Sequence, residues 1–86
     1  MDEQVILDKL TQILRDLLFD QSIVLSRETT RAQVPGWDSF AYINFIVSVE
    51  MTYGLKFSVT EVESFGTVGE IVSRIMALER GGTAGP

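Results

Sequence analysis

The sequence predicts an all-α fold, a small up-and-down four-helix bundle with three main helices, a very short third helix and a long first loop. Two segments of about 15 residues repeat apolar side chains every three or four positions, which is the period of an amphipathic helix. A third such segment lies near the C-terminus. Two hydroxyl residues followed three positions later by glutamate mark further helix starts.

The first helix is predicted over residues 4–18. Asp2 and Glu3 stand at its start, where carboxylates meet unpaired N–H groups and the positive end of the helix dipole. Its apolar positions form one stripe, which predicts a helix with a single buried face. The stripe consists of Ile6, Leu10, Ile13, Leu14, Leu17 and Leu18.

Residues 19–38 lack periodicity and include Pro35-Gly36, so they are predicted to form a long connection. A loop of this length in a small domain usually carries structure or function. We expect it to be held against the core by four apolar anchors: Ile23, Val24, Leu25 and Val34.

A second helix is predicted over residues 39–53, ending at Gly54 as a left-handed cap. It carries two apolar stripes, so it is either buried on every side or presents its second face to a partner. One stripe consists of Tyr42, Phe45, Ile46, Val49 and Tyr53, and the other of Phe40, Ile43 and Val47 with Asn44 beside it.

Two capping boxes, Thr60 with Glu63 and Thr67 with Glu70, predict two further helices. The first is expected near residues 61–65 and the second over residues 68–78. We therefore expect one domain over residues 1–80 and a flexible tail over residues 81–86.

Composition excludes several functions. The 86 residues contain no Cys and no His, so there is no disulfide scaffold, and the commonest general base and metal ligands are missing. Most enzyme mechanisms and a metal site are therefore not expected. The net charge of -5 disfavours nucleic acid, and no apolar run could span a membrane. We expect a cytoplasmic monomer.

The most informative segment is Pro35-Gly36-Trp37-Asp38-Ser39-Phe40, where a turn leads into the second helix. Asp and Ser are good N-caps, so the pair alone indicates only capping. With its surroundings, however, the sequence resembles the acyl carrier protein family, whose signature is Asp-Ser and a large apolar residue at the start of the second of four helices. Phe40 stands where the family more often has Leu. The short chain and its Val34-Pro35-Gly36-Trp37 lead resemble free-standing carriers.

The resemblance implies that Ser39 receives 4'-phosphopantetheine from coenzyme A through a separate phosphopantetheinyl transferase. Asp38 would support this modification by helping to position the transferase's metal ion, with N-capping as an equal alternative. The protein itself would be no enzyme and would present its thioester-bound cargo to acyl-loading and acyl-processing enzymes. Fatty acyl, polyketide, aminoacyl and D-alanyl cargo all remain open.

Ser39, Ile43 and Val47 are spaced four residues apart, so they form one row on the second helix. Partner enzymes could dock on this row, or Ile43 and Val47 could pack under the long loop. Because residues 39–49 contain no acid, we expect mainly apolar docking with little dependence on salt. The predicted partner-binding residues are Phe40, Ile43, Asn44, Val47, Glu50, Glu61 and Glu63.

An alternative function is a cofactor-free interaction module that uses Phe40, Ile43 and Val47 to bind another protein's helix. A hydrolase with Ser39 as nucleophile is disfavoured, because no histidine is present and no Lys or Arg lies close in sequence. Several core side chains could part to shelter an acyl chain, although the sequence does not distinguish them from ordinary core: Phe45, Ile46, Val49, Phe65 and Ile71.

Overall fold

The computed structural model describes residues 2–81, which form four α-helices and no strand. The helices are α1 (Glu3–Leu18), α2 (Ser39–Tyr53), α3 (Val59–Ser64) and α4 (Val68–Gly81), and a 3-10 turn at Arg31–Gln33 interrupts the long loop. The predicted all-α architecture is confirmed. No helix within residues 2–81 has both the length and the apolar character needed to cross a bilayer.

The core lies between α1, α2 and α4, each of which buries one face. On α1, Asp2 accepts a hydrogen bond from the Gln4 N–H at 3.1 Å and so caps the helix as predicted. On α2, Phe45, Ile46 and Val49 are buried, which confirms the predicted core stripe. The second α2 stripe is exposed, so the helix has one buried and one open apolar face.

Helix α2 ends as the sequence indicates. Gly54 adopts a left-handed conformation with φ of 66°, and its N–H donates to the Glu50 carbonyl. A side chain at this φ would be strained, whereas glycine adopts it without cost. The chain then turns away from α2 toward α3.

Helix α3 begins two residues earlier than expected, and the predicted Thr60–Glu63 box is wrong. Ser58 and Glu61 form the capping box: Ser58 N–H donates to Glu61 Oε1 at 2.9 Å, and Glu61 N–H donates to Ser58 Oγ at 3.1 Å. Ser58 carries the same pattern of hydroxyl residue and acid as Thr60, so both satisfy the motif in sequence. Thr60 consequently lies inside the helix.

The start of α4 at Val68 is confirmed, but the second predicted box is only half formed. Thr67 Oγ1 accepts from the Glu70 N–H at 3.4 Å, while the Glu70 carboxylate accepts from Gly66 N–H at 2.9 Å instead of from Thr67. The helix continues to Gly81, three residues beyond the predicted end at 78. Residues 82–86 of the predicted tail lie outside the described residues.

The long loop packs onto the core through three of its four predicted anchors, Ile23, Leu25 and Val34. The prediction for Val24 is wrong, because its side chain is 76% exposed. In extended chain, neighbouring side chains point in opposite directions, so burial of Ile23 and Leu25 turns Val24 outward. Trp37 is an additional anchor at the end of the loop, with 5% exposure.

Backbone hydrogen bonds join the second half of the loop to the start of α4. The Arg27 carbonyl accepts from Gly69 N–H and the Thr29 carbonyl from Val68 N–H, both at 2.9 Å. The first N–H groups of a helix have no partner within the helix, so the loop satisfies two of them here. This pairing fixes residues 27–31 beside the end of the bundle where α2 begins.

Candidate functional site

The candidate site begins at the turn before α2. Gly36 has φ of 88°, and Trp37 N–H donates to the Val34 carbonyl at 3.1 Å. Glycine adopts this positive φ without strain, and the resulting turn reverses the direction of the chain. The turn thus delivers Asp38 and Ser39 to the start of the helix.

Asp38 and Ser39 occupy the two positions expected from the sequence. Asp38 is the N-cap, and its Oδ1 accepts from the Ala41 N–H at 2.9 Å. Ser39 is the first residue of α2, and it is exposed. The capping interpretation of Asp38 is therefore correct, and the Ser39 hydroxyl is accessible from solvent.

Arg31 lies beside Ser39, although it is eight residues away in sequence. Its Nη1 donates to Ser39 Oγ at 3.4 Å, and its guanidinium carbon lies 4.9 Å from the centre of the Tyr42 ring. Sequence reasoning missed Arg31. Its one signal in the sequence is that it lies four residues before the Pro35-Gly36 turn that leads to Ser39. A guanidinium stays protonated, so Arg31 cannot serve as the base that a serine hydrolase requires.

A groove of about 290 Å³ opens next to Ser39 between α2, α3 and the start of α4. Of the five core residues that sequence reasoning considered as possible shelter for a chain, Phe65 and Ile71 line it. Phe45, Ile46 and Val49 belong instead to the closed core. The walls include Trp37, Tyr42, Ile43, Val62, Phe65 and Ile71.

Tyr42 connects α2 to α3 along one wall of the groove. Its hydroxyl donates to the Val62 carbonyl at 2.6 Å. Burial raises the pKa of Tyr42 above its ordinary value, while the nearby charge of Arg31 lowers it and that of Glu70 raises it further. The hydroxyl is therefore protonated at neutral pH and available as a donor.

The Trp37 side chain packs against the aromatic residues of α2 next to the site. Its ring meets Phe45 edge-on, with centroids 5.1 Å apart, and lies 6.3 Å from the Tyr42 ring. Such aromatic pairs add roughly 0.5–1.5 kcal/mol to ordinary burial. The indole N–H has no hydrogen-bond partner among residues 2–81. The buried Trp37 side chain thus anchors to the core the turn that carries Asp38 and Ser39.

An exposed apolar row runs along α2 from the N-terminal end of the helix, where Ser39 lies. Phe40, Ile43 and Val47 are 76%, 52% and 45% exposed, and Asn44 beside them is half-buried. The loop therefore does not cover Ile43 and Val47. Met51, 78% exposed and four residues after Val47, extends the row. Sequence reasoning missed Met51, although its spacing signals it.

The three acids predicted near a partner surface have different surroundings. The Glu50 side chain is 13% exposed, accepts from Phe57 N–H at 2.9 Å and faces Lys56. Glu61 is engaged with Ser58 and with Arg74. Glu63 is exposed and borders the groove. Glu50 and Glu61 thus stabilise the fold, whereas the structure leaves Glu63 on the open surface.

Comparison with solved structures gives a close match. A holo acyl carrier protein from Geobacter metallireducens, determined in solution by NMR, superposes with a TM-score of 0.78 and is 40% identical. The match covers 86% of this chain and 86% of that one. The chain belongs to the acyl carrier protein family.

The acyl carrier protein described here is therefore a carrier and not a catalyst. Comparison with protein-family models gives no match, and neither does comparison with curated proteins. The described residues also contain no cluster of three or more His, Cys, Asp or Glu side chains that could bind a metal ion. Its site consists of an exposed hydroxyl, a neighbouring cation, a groove and an apolar helix face.

Proposed function

We propose that this acyl carrier protein bears 4'-phosphopantetheine on Ser39 Oγ and carries an acyl or aminoacyl group on that arm. The observation that carries the proposal is the exposed Ser39 hydroxyl at the first position of α2, beside a groove. The solved relative at 40% identity is a holo protein, which supports the same modification here. A phosphopantetheinyl transferase would add the arm.

The residues around Ser39 suit a phosphodiester. The start of α2 offers backbone N–H groups and the positive end of the helix dipole, both of which favour an anion. The Arg31 guanidinium lies within 3.4 Å of the oxygen that would be esterified. When bound, the arm supplies a thiol that holds the cargo as a thioester, a role that no side chain of this cysteine-free protein can fill.

Asp38 is proposed to act twice at this site. Its carboxylate caps α2 through the Ala41 N–H, and this contact uses one carboxylate oxygen. The second oxygen is on the exposed side chain and suits the metal ion of a bound transferase, because hard divalent cations prefer carboxylate oxygen. Capping thus holds the group in the position in which it could assist modification.

The apolar row of Phe40, Ile43, Val47 and Met51 is proposed as the docking surface for partner enzymes. It begins one residue after the attachment site and runs along the whole of α2. Asn44 lies beside the row, and the exposed Glu63 borders the adjacent groove. Glu50 and Glu61, which also stabilise the fold, are proposed as secondary contacts. The partners are the transferase and the acyl-loading and acyl-processing enzymes, and we propose that they meet the carrier in the cytoplasm.

The groove beside Ser39 is proposed to receive the arm or a short acyl chain. At about 290 Å³ it lies near the lower limit of ordinary small-molecule sites. Its lining is mostly apolar and includes Phe65 and Ile71. Partner enzymes then determine whether the cargo belongs to fatty acid, polyketide, D-alanyl or another metabolism.

The decisive experiment is incubation with a phosphopantetheinyl transferase and coenzyme A, followed by intact-mass measurement. The wild-type protein should gain the mass of one phosphopantetheinyl group, and Ser39→Ala should gain none. Ser48→Ala, which removes another serine hydroxyl from the same helix, should be modified normally. A gain that persists in Ser39→Ala refutes Ser39 as the attachment site, and absence of a gain in the wild type refutes the proposal and favours the cofactor-free interaction module.

A further inference from the structure

We propose that Arg31 is the residue that holds the phosphate of the arm and thereby sets the direction in which the arm leaves Ser39. This inference rests on the proposed modification of Ser39. It concerns a residue of the loop before α2, outside the Asp-Ser pair that marks the attachment site in the sequence. Arg31 would be a positioning residue for the cofactor.

The distance between Arg31 and Ser39 is short enough for direct contact with a phosphate. Arg31 Nη1 already lies 3.4 Å from Ser39 Oγ. Esterification of Oγ places phosphate oxygens one bond beyond it, within reach of the guanidinium after a small side-chain rotation. Arginine suits this role because its planar set of N–H donors can bind two phosphate oxygens at once.

The backbone of Arg31 is held in place before any phosphate arrives. Arg31 opens the 3-10 turn, in which Thr30 N–H donates to Gln33 Oε1 at 2.9 Å. Its carbonyl accepts from the N–H of Val34, a buried anchor of the loop. The guanidinium also lies over the Tyr42 ring, a contact that restricts its orientation. Little ordering would therefore be needed when the phosphate binds.

Among the residues that the structure describes, the charge of Arg31 has no carboxylate partner. Within residues 2–81, Arg27 pairs with Glu3 and Arg74 pairs with Glu61, but no acid lies within ion-pair distance of Arg31. Lys9, Arg15 and Arg80 also form no ion pair among these residues, but Arg31 differs from them because its guanidinium lies 3.4 Å from Ser39 Oγ. A phosphodiester on Ser39 would supply the missing anion at the position where the cation already lies.

The position of Arg31 also determines what the contact would do. Arg31 lines the groove together with Tyr42 and Ile43, so a phosphate held by it lies at the groove entrance. The part of the arm that follows the phosphate is then directed along the groove instead of outward into solvent. In the unmodified protein the same side chain lies across Ser39 and Tyr42.

The test compares unmodified and modified forms of the wild type and of Arg31→Gln, with modification verified by intact mass. Lys9→Gln, which removes one positive charge from an exposed position on α1, is the matched control. The measured quantity is the change in Tm on modification at low salt. This change should be about 2–4 °C less favourable in Arg31→Gln than in the wild type, the size expected of one exposed ion pair. Lys9→Gln should match the wild type, and the difference should vanish near 1 M salt.

A second measurement uses the wild type alone, so it does not depend on the folding of a variant. The NMR resonance of the Arg31 Nε–H group should shift on modification, whereas that of Arg15, which donates to the Ile23 carbonyl, should stay in place. An unchanged Arg31 resonance, or equal Tm changes in the wild type and Arg31→Gln, overturns the assignment while leaving the modification of Ser39 intact. Failure of the wild type to gain mass refutes the proposed function and the role of Arg31 together.

Discussion

Gly69 approaches Arg27 so closely that a Cβ atom on Gly69 would lie 2.8 Å from the Arg27 carbonyl oxygen. The same carbonyl accepts the Gly69 N–H at 2.9 Å, so the contact is also a hydrogen bond between the loop and α4. Only a residue without a side chain permits this approach. The absence of a Cβ at Gly69 therefore allows the loop that carries Arg31 to lie against the bundle.

Replacement of Gly69 by alanine should destabilise the protein. The clash with backbone outweighs the gain in helix propensity, which leaves a net loss of about 1–2 kcal/mol in the free energy of unfolding. Urea unfolding measures this loss, and hydrogen exchange at Val68 and Gly69 should accelerate. Gly66→Ala is the control, because its added Cβ would meet only the end of the Glu70 side chain, at 3.4 Å, and no backbone atom. Equal stabilities for the two variants would contradict the role of the close contact.

Asp38 variants should separate its two proposed roles. Asp38→Ala removes the cap and should lower the free energy of unfolding by about 1 kcal/mol, as measured by urea unfolding. Asp38→Asn keeps a good N-cap but loses the charge, so its stability should stay close to that of the wild type. If the carboxylate assists modification, Asp38→Asn should still be modified more slowly by the transferase. A normal rate in Asp38→Asn would restrict Asp38 to capping.

Tyr42→Phe should weaken the attachment of α3 to α2. The lost hydrogen bond to the Val62 carbonyl is worth about 1 kcal/mol, measurable by urea unfolding at pH 7. Phenylalanine retains the ring, so the contact with Trp37 should persist. A stability equal to that of the wild type would show that the hydroxyl contributes nothing to the joint between these helices.

Tyrosine ionisation should make the fold less stable in alkali. Burial raises the pKa of both Tyr42 and Tyr53 above the unfolded value of about 10, with Glu79 adding to the effect at Tyr53. Above pH 10 the unfolded state therefore binds fewer protons than the folded state. The contribution of the two tyrosines to the free energy of unfolding is complete below pH 10 and is lost as pH rises toward their folded pKa values. Urea unfolding from pH 8 to 11 should show a smaller loss in Tyr42→Phe/Tyr53→Phe. An identical pH profile in that double variant would contradict the assignment.

Docking on the exposed row should depend on apolar contact. Ile43→Ser/Val47→Ser should raise the KM of the transferase several-fold while changing stability little, because exposed substitutions usually stay within about 0.5 kcal/mol. The wild-type KM should change less than about threefold between low and physiological salt. A steep rise in KM with salt would indicate that ion pairs, including those of Glu63, dominate recognition.

Local sequence patterns determined the helices because their causes are local. The bounds of α2 follow from a cap, an apolar period and a terminal glycine, all of which act within a few residues. Where two candidates of the same kind lay close together, local rules could not choose between them. Ser58 and Thr60 both satisfy the capping pattern, and only the structure shows that Ser58 is the cap.

The site divides in the same way. Asp38 and Ser39 were predictable because a turn, a cap and a helix start occupy consecutive positions in the chain. The exposure of Ile43 and Val24 could not be predicted in this way, because the burial of a side chain depends on what the rest of the chain places over it. The structure leaves both exposed, one on the docking row and the other on the loop.

By itself, the sequence of this acyl carrier protein determined its four helices, its family resemblance and the hydroxyl proposed to carry the arm. Only the tertiary structure decided that Arg31 lies against that hydroxyl and that a groove opens beside it. The physical reason is distance along the chain: helix periods and caps act over three or four residues. The position of Arg31 depends on hydrogen bonds between the loop and α4 that close only when the chain has folded.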